Sequence, residues 1–106
     1  MDIRSKGETG KLLDTIGTAN MEEVVRLINR GANVNAVSKD GETPLISAAK
    51  NNPNPDILRI LLENDADVAF ESPKGCNALY HAEKNEKMKG TDAYNLLRER
   101  TLSKTN

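Results

Sequence analysis

Tryptophan is missing from this chain, and Phe70, Tyr80 and Tyr94 are its only aromatic residues. The core must therefore be aliphatic, a composition that suits amphipathic helices packed on one another. Cysteine is represented by Cys76 alone, so an internal disulfide is excluded, which points to a reducing compartment or to indifference about redox; a cytoplasmic setting is expected. Neither sign of charge dominates: fifteen basic and sixteen acidic residues leave a formal charge of −1. The basic residues that gather late, Lys84, Lys87, Lys89, Arg98, Arg100 and Lys104, are interleaved with Glu83, Glu86, Asp92 and Glu99. Such a face is a solvated one, and neither nucleic acid nor an anionic membrane is an expected partner. Long apolar runs are lacking too. No segment approaches the roughly 20 apolar residues that span a bilayer, and Met1 to Lys6 contain no apolar stretch of the kind a secretory leader needs.

What the chain has is repetition. Arg30-Gly31-Ala32-Asn33-Val34-Asn35-Ala36 returns as Asn64-Asp65-Ala66-Asp67-Val68-Ala69-Phe70, an offset of 34 residues from Gly31 to Asp65. Gly41-Glu42-Thr43-Pro44-Leu45 returns as Gly75-Cys76-Asn77-Ala78-Leu79, again with an offset of 34. Two independent matches at one period predict a repeat architecture. Within a unit, Thr43 as N-cap and Pro44 at the first helical position start a short helix that carries Leu45, Ala48 and Ala49 on one stripe. The segment Pro53-Asn54-Pro55-Asp56 breaks the chain and starts a second helix, with Asn54 as cap and Ile57, Leu58, Ile60, Leu61 and Leu62 on its body. Asn20, with Glu23 three residues on, begins the corresponding helix of the first unit ahead of Val24, Val25, Leu27 and Ile28.

These residues resemble the ankyrin repeats, whose units open on Gly-x-Thr-Pro-Leu, carry paired alanines and two leucines, and close on Gly-Ala-Asp-Val-Asn. Gly41, Thr43, Pro44, Leu45, Ala48, Ala49, Leu61, Leu62, Ala66, Asp67 and Val68 match in the middle unit. The resemblance implies an all-α solenoid of three helix-turn-helix units with projecting turn or β-hairpin fingers, forming a single domain over residues 1–106. Unit one runs from about 11 to 37, unit two from about 38 to 71 and unit three from about 72 to 101, with 102–106 as a polar tail. Units one and three depart from the pattern as end caps do. Unit one lacks the Thr-Pro start, and unit three has Asn77-Ala78 in its place. The spacing from the first small residue of helix one to the paired aliphatics of helix two grows through the units, so their inter-helix loops are expected to lengthen by one residue each. Ile46 stands where the family has histidine. Asp65 stands where it has glycine, at a helix exit that adopts positive φ.

The sequence offers little chemistry. Ser5 to Leu12 partly matches a phosphate-binding loop, but the motif needs glycine where Ser5 stands, Ser or Thr where Leu12 stands, and a preceding strand. His81 is the single histidine, with Cys76, Glu83 and Glu86 nearby. His81 and Glu83 lie two apart on a helix and so face differently, which does not assemble the four ligands of a structural zinc site. No nucleophile and base can be paired. No catalytic residue, cofactor or metal is expected, and the chain is not expected to be an enzyme.

Function is expected from surface instead. In the resembled family the fingers and the exposed side of each first helix form a concave surface that holds a protein partner. The matching positions are Lys39, Asp40, Glu42, Ile46, Lys50 and Asn51 in unit two and Pro73, Lys74, Cys76, Tyr80, Lys84 and Asn85 in unit three, with Gly17 and Thr18 in unit one. Ile46 and Tyr80 are the expected apolar anchors. Lys39, Lys50, Lys74 and Lys84 recur near the repeat period and are expected to form a basic band that favours a partner with an acidic surface. The polar side of the last helix, with Asp92, Asn95, Arg98 and Glu99, suits a solvent-facing cap and hence a monomer. The expectation is a non-catalytic adaptor or inhibitor. The alternative is a structural spacer array, a piece of a larger assembly without a dedicated partner site.

Overall fold

The computed structural model of the protein describes residues 10–13, 15–16, 20–51 and 54–104. The partial phosphate-loop match, apart from its last residues, and Gly17 and Thr18 lie outside the described residues. Five helices follow in order: α1 (Met21–Asn29), α2 (Pro44–Asn51), α3 (Pro55–Glu63), α4 (Ala78–Lys84) and α5 (Asp92–Lys104). Residues 10–13, ahead of α1, are also helical.

Each helix starts on a residue whose short side chain accepts a hydrogen bond from one of the orphan N–H groups of the first turn. Asn20 Oδ1 accepts from the Glu23 N–H at 3.2 Å, and Thr43 Oγ1 from that of Ile46 at 3.3 Å. Asn54 Oδ1 accepts from Asp56 at 3.0 Å, Asn77 Oδ1 from Tyr80 at 2.9 Å and Thr91 Oγ1 from Tyr94 at 3.1 Å. Substituting any of these caps by alanine typically removes about 1 kcal/mol. Beside the first cap, the Glu23 carboxylate hydrogen-bonds the Arg26 guanidinium, which holds its pKa below the usual range.

The exits repeat as well. Gly31 and Asp65 both have positive φ, 99° and 65°. After Gly31, the Ala32 N–H donates to the Leu27 carbonyl at 3.0 Å; after Asp65, the Ala66 N–H donates to the Leu61 carbonyl at 3.1 Å. The Gly31 and Asp65 N–H groups reach the Ile28 and Leu62 carbonyls, completing two Schellman exits in matching register.

Helices pack first on first and second on second. α2 lies against α4, and α3 against both α1 and α5, while α2 with α3 and α4 with α5 form the pairs within units. The α2 to α4 seam is lined by small residues: Ala48, Ala49, Ala78 and Ala82 are all buried, letting the two backbones approach closely. Ile57, Leu58, Leu61, Leu62 and Leu97 fill the other layer, with Leu12, Ile16, Val24 and Leu27 at the unit-one end. Burying a Leu or Ile side chain contributes about 1.5–3 kcal/mol, so the aliphatic layers supply most of the driving force.

Polar side chains bracket neighbouring units. Asn35 accepts from the Asp67 N–H at 2.7 Å and donates to the Asp65 carbonyl at 3.4 Å, tying the exit of unit one to that of unit two. The Asn85 amide donates to the Ala49 carbonyl of α2 at 3.0 Å, and the Arg100 guanidinium donates to the Leu62 carbonyl of α3. Between α4 and α5 the chain takes a longer path than the expected single added residue, and Met88 on this stretch is fully buried.

The fingers are turns. Among the described residues there is no strand. In the first finger the Ser38 N–H donates to the Glu42 carbonyl at 2.8 Å and the Gly41 N–H to the Ser38 carbonyl at 3.0 Å; Ser72, Gly75 and Cys76 repeat this at 2.9 and 2.8 Å. Gly41 and Gly75 take φ of 78° and 79°, which closes each finger within five residues and leaves no length for a ladder.

Candidate partner-binding face

The two fingers, the last turn of α2 and the start of α4 enclose one open cleft. Its walls are Asp40, Glu42 and Lys50 from unit two, and Ser72, Pro73, Lys74, Cys76, Tyr80 and His81 from unit three. The Asn77 cap fixes the first turn of α4, which carries Tyr80 with His81 next to it, while Lys50 reaches the cleft from the last turn of α2.

Seven of the expected contact residues, Asp40, Glu42, Lys50, Pro73, Lys74, Cys76 and Tyr80, share this cleft. Lys39 is exposed at the tip of its finger but is not part of the wall, and Lys84 is exposed beside it. The Lys84 ammonium sits 5.0 Å from the centre of the Tyr80 ring. A cation over an aromatic face is attractive by about 0.5–1 kcal/mol at an exposed site. The side chain of Asn51 lies outside the described residues.

One expectation is corrected. Ile46 is 1% exposed and belongs to the core, so it cannot serve as a surface anchor. The physical reason is its place in the middle unit. α2 packs against α3 and α4, and Pro44, Leu45, Ile46, Ala48 and Ala49 are all buried. Tyr80, one repeat later in unit three, stays 46% exposed. Asn85 is half-buried; its amide is engaged with the Ala49 carbonyl and its Oδ1 accepts from the Lys87 N–H at 3.0 Å, so it caps α4 and braces it against α2.

Charge in the cleft is mixed rather than a basic band. Glu42 accepts from the Lys50 ammonium at 3.0 Å and from the Ser47 hydroxyl at 3.4 Å, and Asp40 stands nearby on the finger. Lys39 and Lys74 have no ion-pair partner among the described residues. His81 packs edge-to-face on Tyr80, ring centres 5.3 Å apart. Partial burial lowers the imidazole pKa, and the charges of Lys50 and Lys84 push the same way against the opposing pull of Glu42. The shift favours the neutral imidazole. Cys76 is half-buried with its thiol 3.9 Å from the Lys74 carbonyl.

Sequence reasoning missed Ser72 and His81 as wall residues. The signal was present for Ser72, which repeats Ser38 at the period of 34. For His81 the clue is only its position next to Tyr80 at the start of α4.

With this geometry in view, comparison with known proteins places the chain. Residues 16–105 match the family "Ankyrin repeats (3 copies)", and the chain belongs to that family. Ankyrin repeats in general mediate protein–protein interaction and are a non-catalytic fold. The chain is 35% identical over 85 residues to a putative E3 ubiquitin-protein ligase of Arabidopsis thaliana, covering 76% of this chain and 22% of that protein. It is 32% identical over 83 residues to the mouse (Mus musculus) B-cell lymphoma 3 protein homolog, covering 77% of this chain and 18% of the other. The chain thus spans about a fifth of the length of these curated relatives. Among the described residues, no helix is long and apolar enough to cross a membrane.

Proposed function

We propose that this chain is a non-catalytic binding module, an adaptor or inhibitor in the cytoplasm, that holds a protein partner in the cleft between its two fingers. The observation that carries the reading is the meeting of exposed Tyr80 with the charged side chains of two successive units in one concavity. Aromatic residues in a depression ringed by polar groups are the usual energetic centres of interfaces. Lys84 over the ring restrains Tyr80 before binding, which reduces the ordering cost of association. Lys39 and Lys74, which lack ion-pair partners among the described residues, favour an acidic group on the partner, while Glu42 and Lys50 already neutralise each other. The partner segment is therefore apolar opposite Tyr80 and acidic opposite Lys74, and the module works as a monomer.

The experiment is cross-linking affinity capture from the native host followed by binding assays with Tyr80→Ala and Lys74→Glu. Truncating a central aromatic anchor raises Kd by about tenfold or more. Unchanged affinity in both variants, with helicity intact, moves the interface off the cleft. A spacer array within a longer assembly is the second reading, favoured by the small share of its relatives' length that the chain covers. In that case both variants behave as the parent does in the host.

A further inference from the structure

The last turns of α5 carry two arginines and two hydroxyls in the order Arg98-Glu99-Arg100-Thr101-Leu102-Ser103. The two hydroxyls differ in every respect that matters for modification. Thr101 is buried, and its Oγ1 donates to the Leu97 carbonyl at 2.6 Å. Ser103 is exposed and stands between two shallow grooves, one shared with Arg100 and the other with Arg98.

We propose that Ser103 is a phosphorylation site for an arginine-directed serine/threonine kinase, and that the phosphate loosens α5 from unit two. Arg100 and Arg98, three and five residues before the acceptor, present two guanidinium groups to an acidic substrate cleft. Charge patterns of this kind are how kinases select substrates. Ser103 lies in the last described turn of α5, where terminal carbonyls lack intrahelical partners, so opening this turn to present the acceptor to a kinase breaks few helical hydrogen bonds. In the reaction Ser103 Oγ attacks the γ-phosphorus of Mg-ATP while a kinase carboxylate takes the hydroxyl proton. The new O–P bond forms as the bond to the β,γ-bridging oxygen breaks, and ADP leaves.

The groove that Ser103 shares with Arg100 also contains Asp65, Asp67 and Glu99. A phosphate of about −1.5 to −2 charge placed there faces three carboxylates and the negative end of the α5 dipole. Its one favourable neighbour in that groove is Arg100, one turn back on the helix. That guanidinium donates to the Leu62 carbonyl at the end of α3. Drawing Arg100 to the phosphate therefore breaks a contact between α5 and α3 at the same moment that Asp65 and Asp67 repel the modified turn.

The test uses the full chain, Mg-ATP and the catalytic domain of an arginine-directed kinase, read by intact mass and fragmentation. One phosphate on Ser103 is expected, with none in Ser103→Ala. Arg98→Gln, at an exposed position, keeps the fold and lowers kcat/KM about tenfold or more. Incorporation that survives Ser103→Ala, or is indifferent to Arg98→Gln, or fails in the parent, overturns the assignment. In the phosphorylated protein, amide exchange over residues 98–103 should accelerate and Tm should fall by about 4 °C or more. An unchanged or raised Tm would mean that the phosphate staples the arginines, and the loosening is refuted.

Discussion

Gly41 lies against the ring of Pro73, so close that a Cβ on Gly41 would stand 2.5 Å from the Pro73 Cδ. The first finger is thus packed on the second, and the wall of the cleft is set by a contact that has no room for a side chain. Gly75 has the same φ in the second finger and nothing within 4 Å of its would-be Cβ. The pair separates backbone strain from packing. Gly75→Ala should cost about 1–2 kcal/mol, the left-handed penalty alone. Gly41→Ala adds overlap with a rigid ring and should cost about 2–4 kcal/mol. Urea unfolding of the two variants decides it, and Pro73→Ala should relieve part of the Gly41→Ala loss. Equal losses in the two glycine variants would mean that the fingers do not pack.

Asp65 holds φ of 65° at the exit of α3, where Gly31 serves unit one. Replacing a non-glycine residue at positive φ relieves strain, offset in part by the freedom glycine gains when unfolded. Asp65→Gly should stabilise by a few tenths to about 1 kcal/mol. A lower urea midpoint in the variant would show that the carboxylate contributes more to the exit than its backbone costs.

Asn35 is the polar tie between the exits of units one and two, accepting from Asp67 and donating to Asp65. Asn35→Ala should cost about 0.5–1.5 kcal/mol, at the low end because water reaches the exposed partners. Hydrogen exchange should quicken first in α1, the described helix joined to unit two through α3. Faster exchange confined to α4 and α5 would contradict this.

Much of this fold was legible because its determinants are local or periodic. The caps at Asn20, Thr43 and Asn54 act over two or three residues, and the alanines and leucines of unit two sit where a period of 34 and a helical stripe place them. The position of Asp65 in the left-handed region followed from alignment with Gly31. What the sequence concealed depends on which unit has neighbours. Ile46 and Tyr80 occupy the same register, yet one is core and the other surface, a difference of surroundings that the repeat pattern does not carry. The long-range brackets were also hidden, since Asn85 and Arg100 read as ordinary polar surface until folding brings Ala49 and Leu62 beside them. The pairing of one lysine of the expected basic band was hidden in the same way, as Glu42, eight residues before Lys50, meets it across the length of α2.

His81 gives the protein a pH dependence whose sign is fixed by its surroundings. Burial against Tyr80 and the finger, together with the positive charges of Lys50 and Lys84, lowers the folded-state pKa below the ordinary 6.5. The unfolded chain then binds more protons than the folded one in the window below that value, and stability rises with pH wherever this holds. The contribution is fully present above about pH 6.5. It is lost as pH falls through the window and levels off below the folded pKa. Glu23, with its lowered carboxyl pKa, acts in the same direction, but only below about 4.5, so the two windows are separable. Urea midpoints measured between pH 7.5 and 5 should decline in the parent, and His81→Gln should flatten the slope. If the variant declines as steeply as the parent, the imidazole is not held neutral in the cleft.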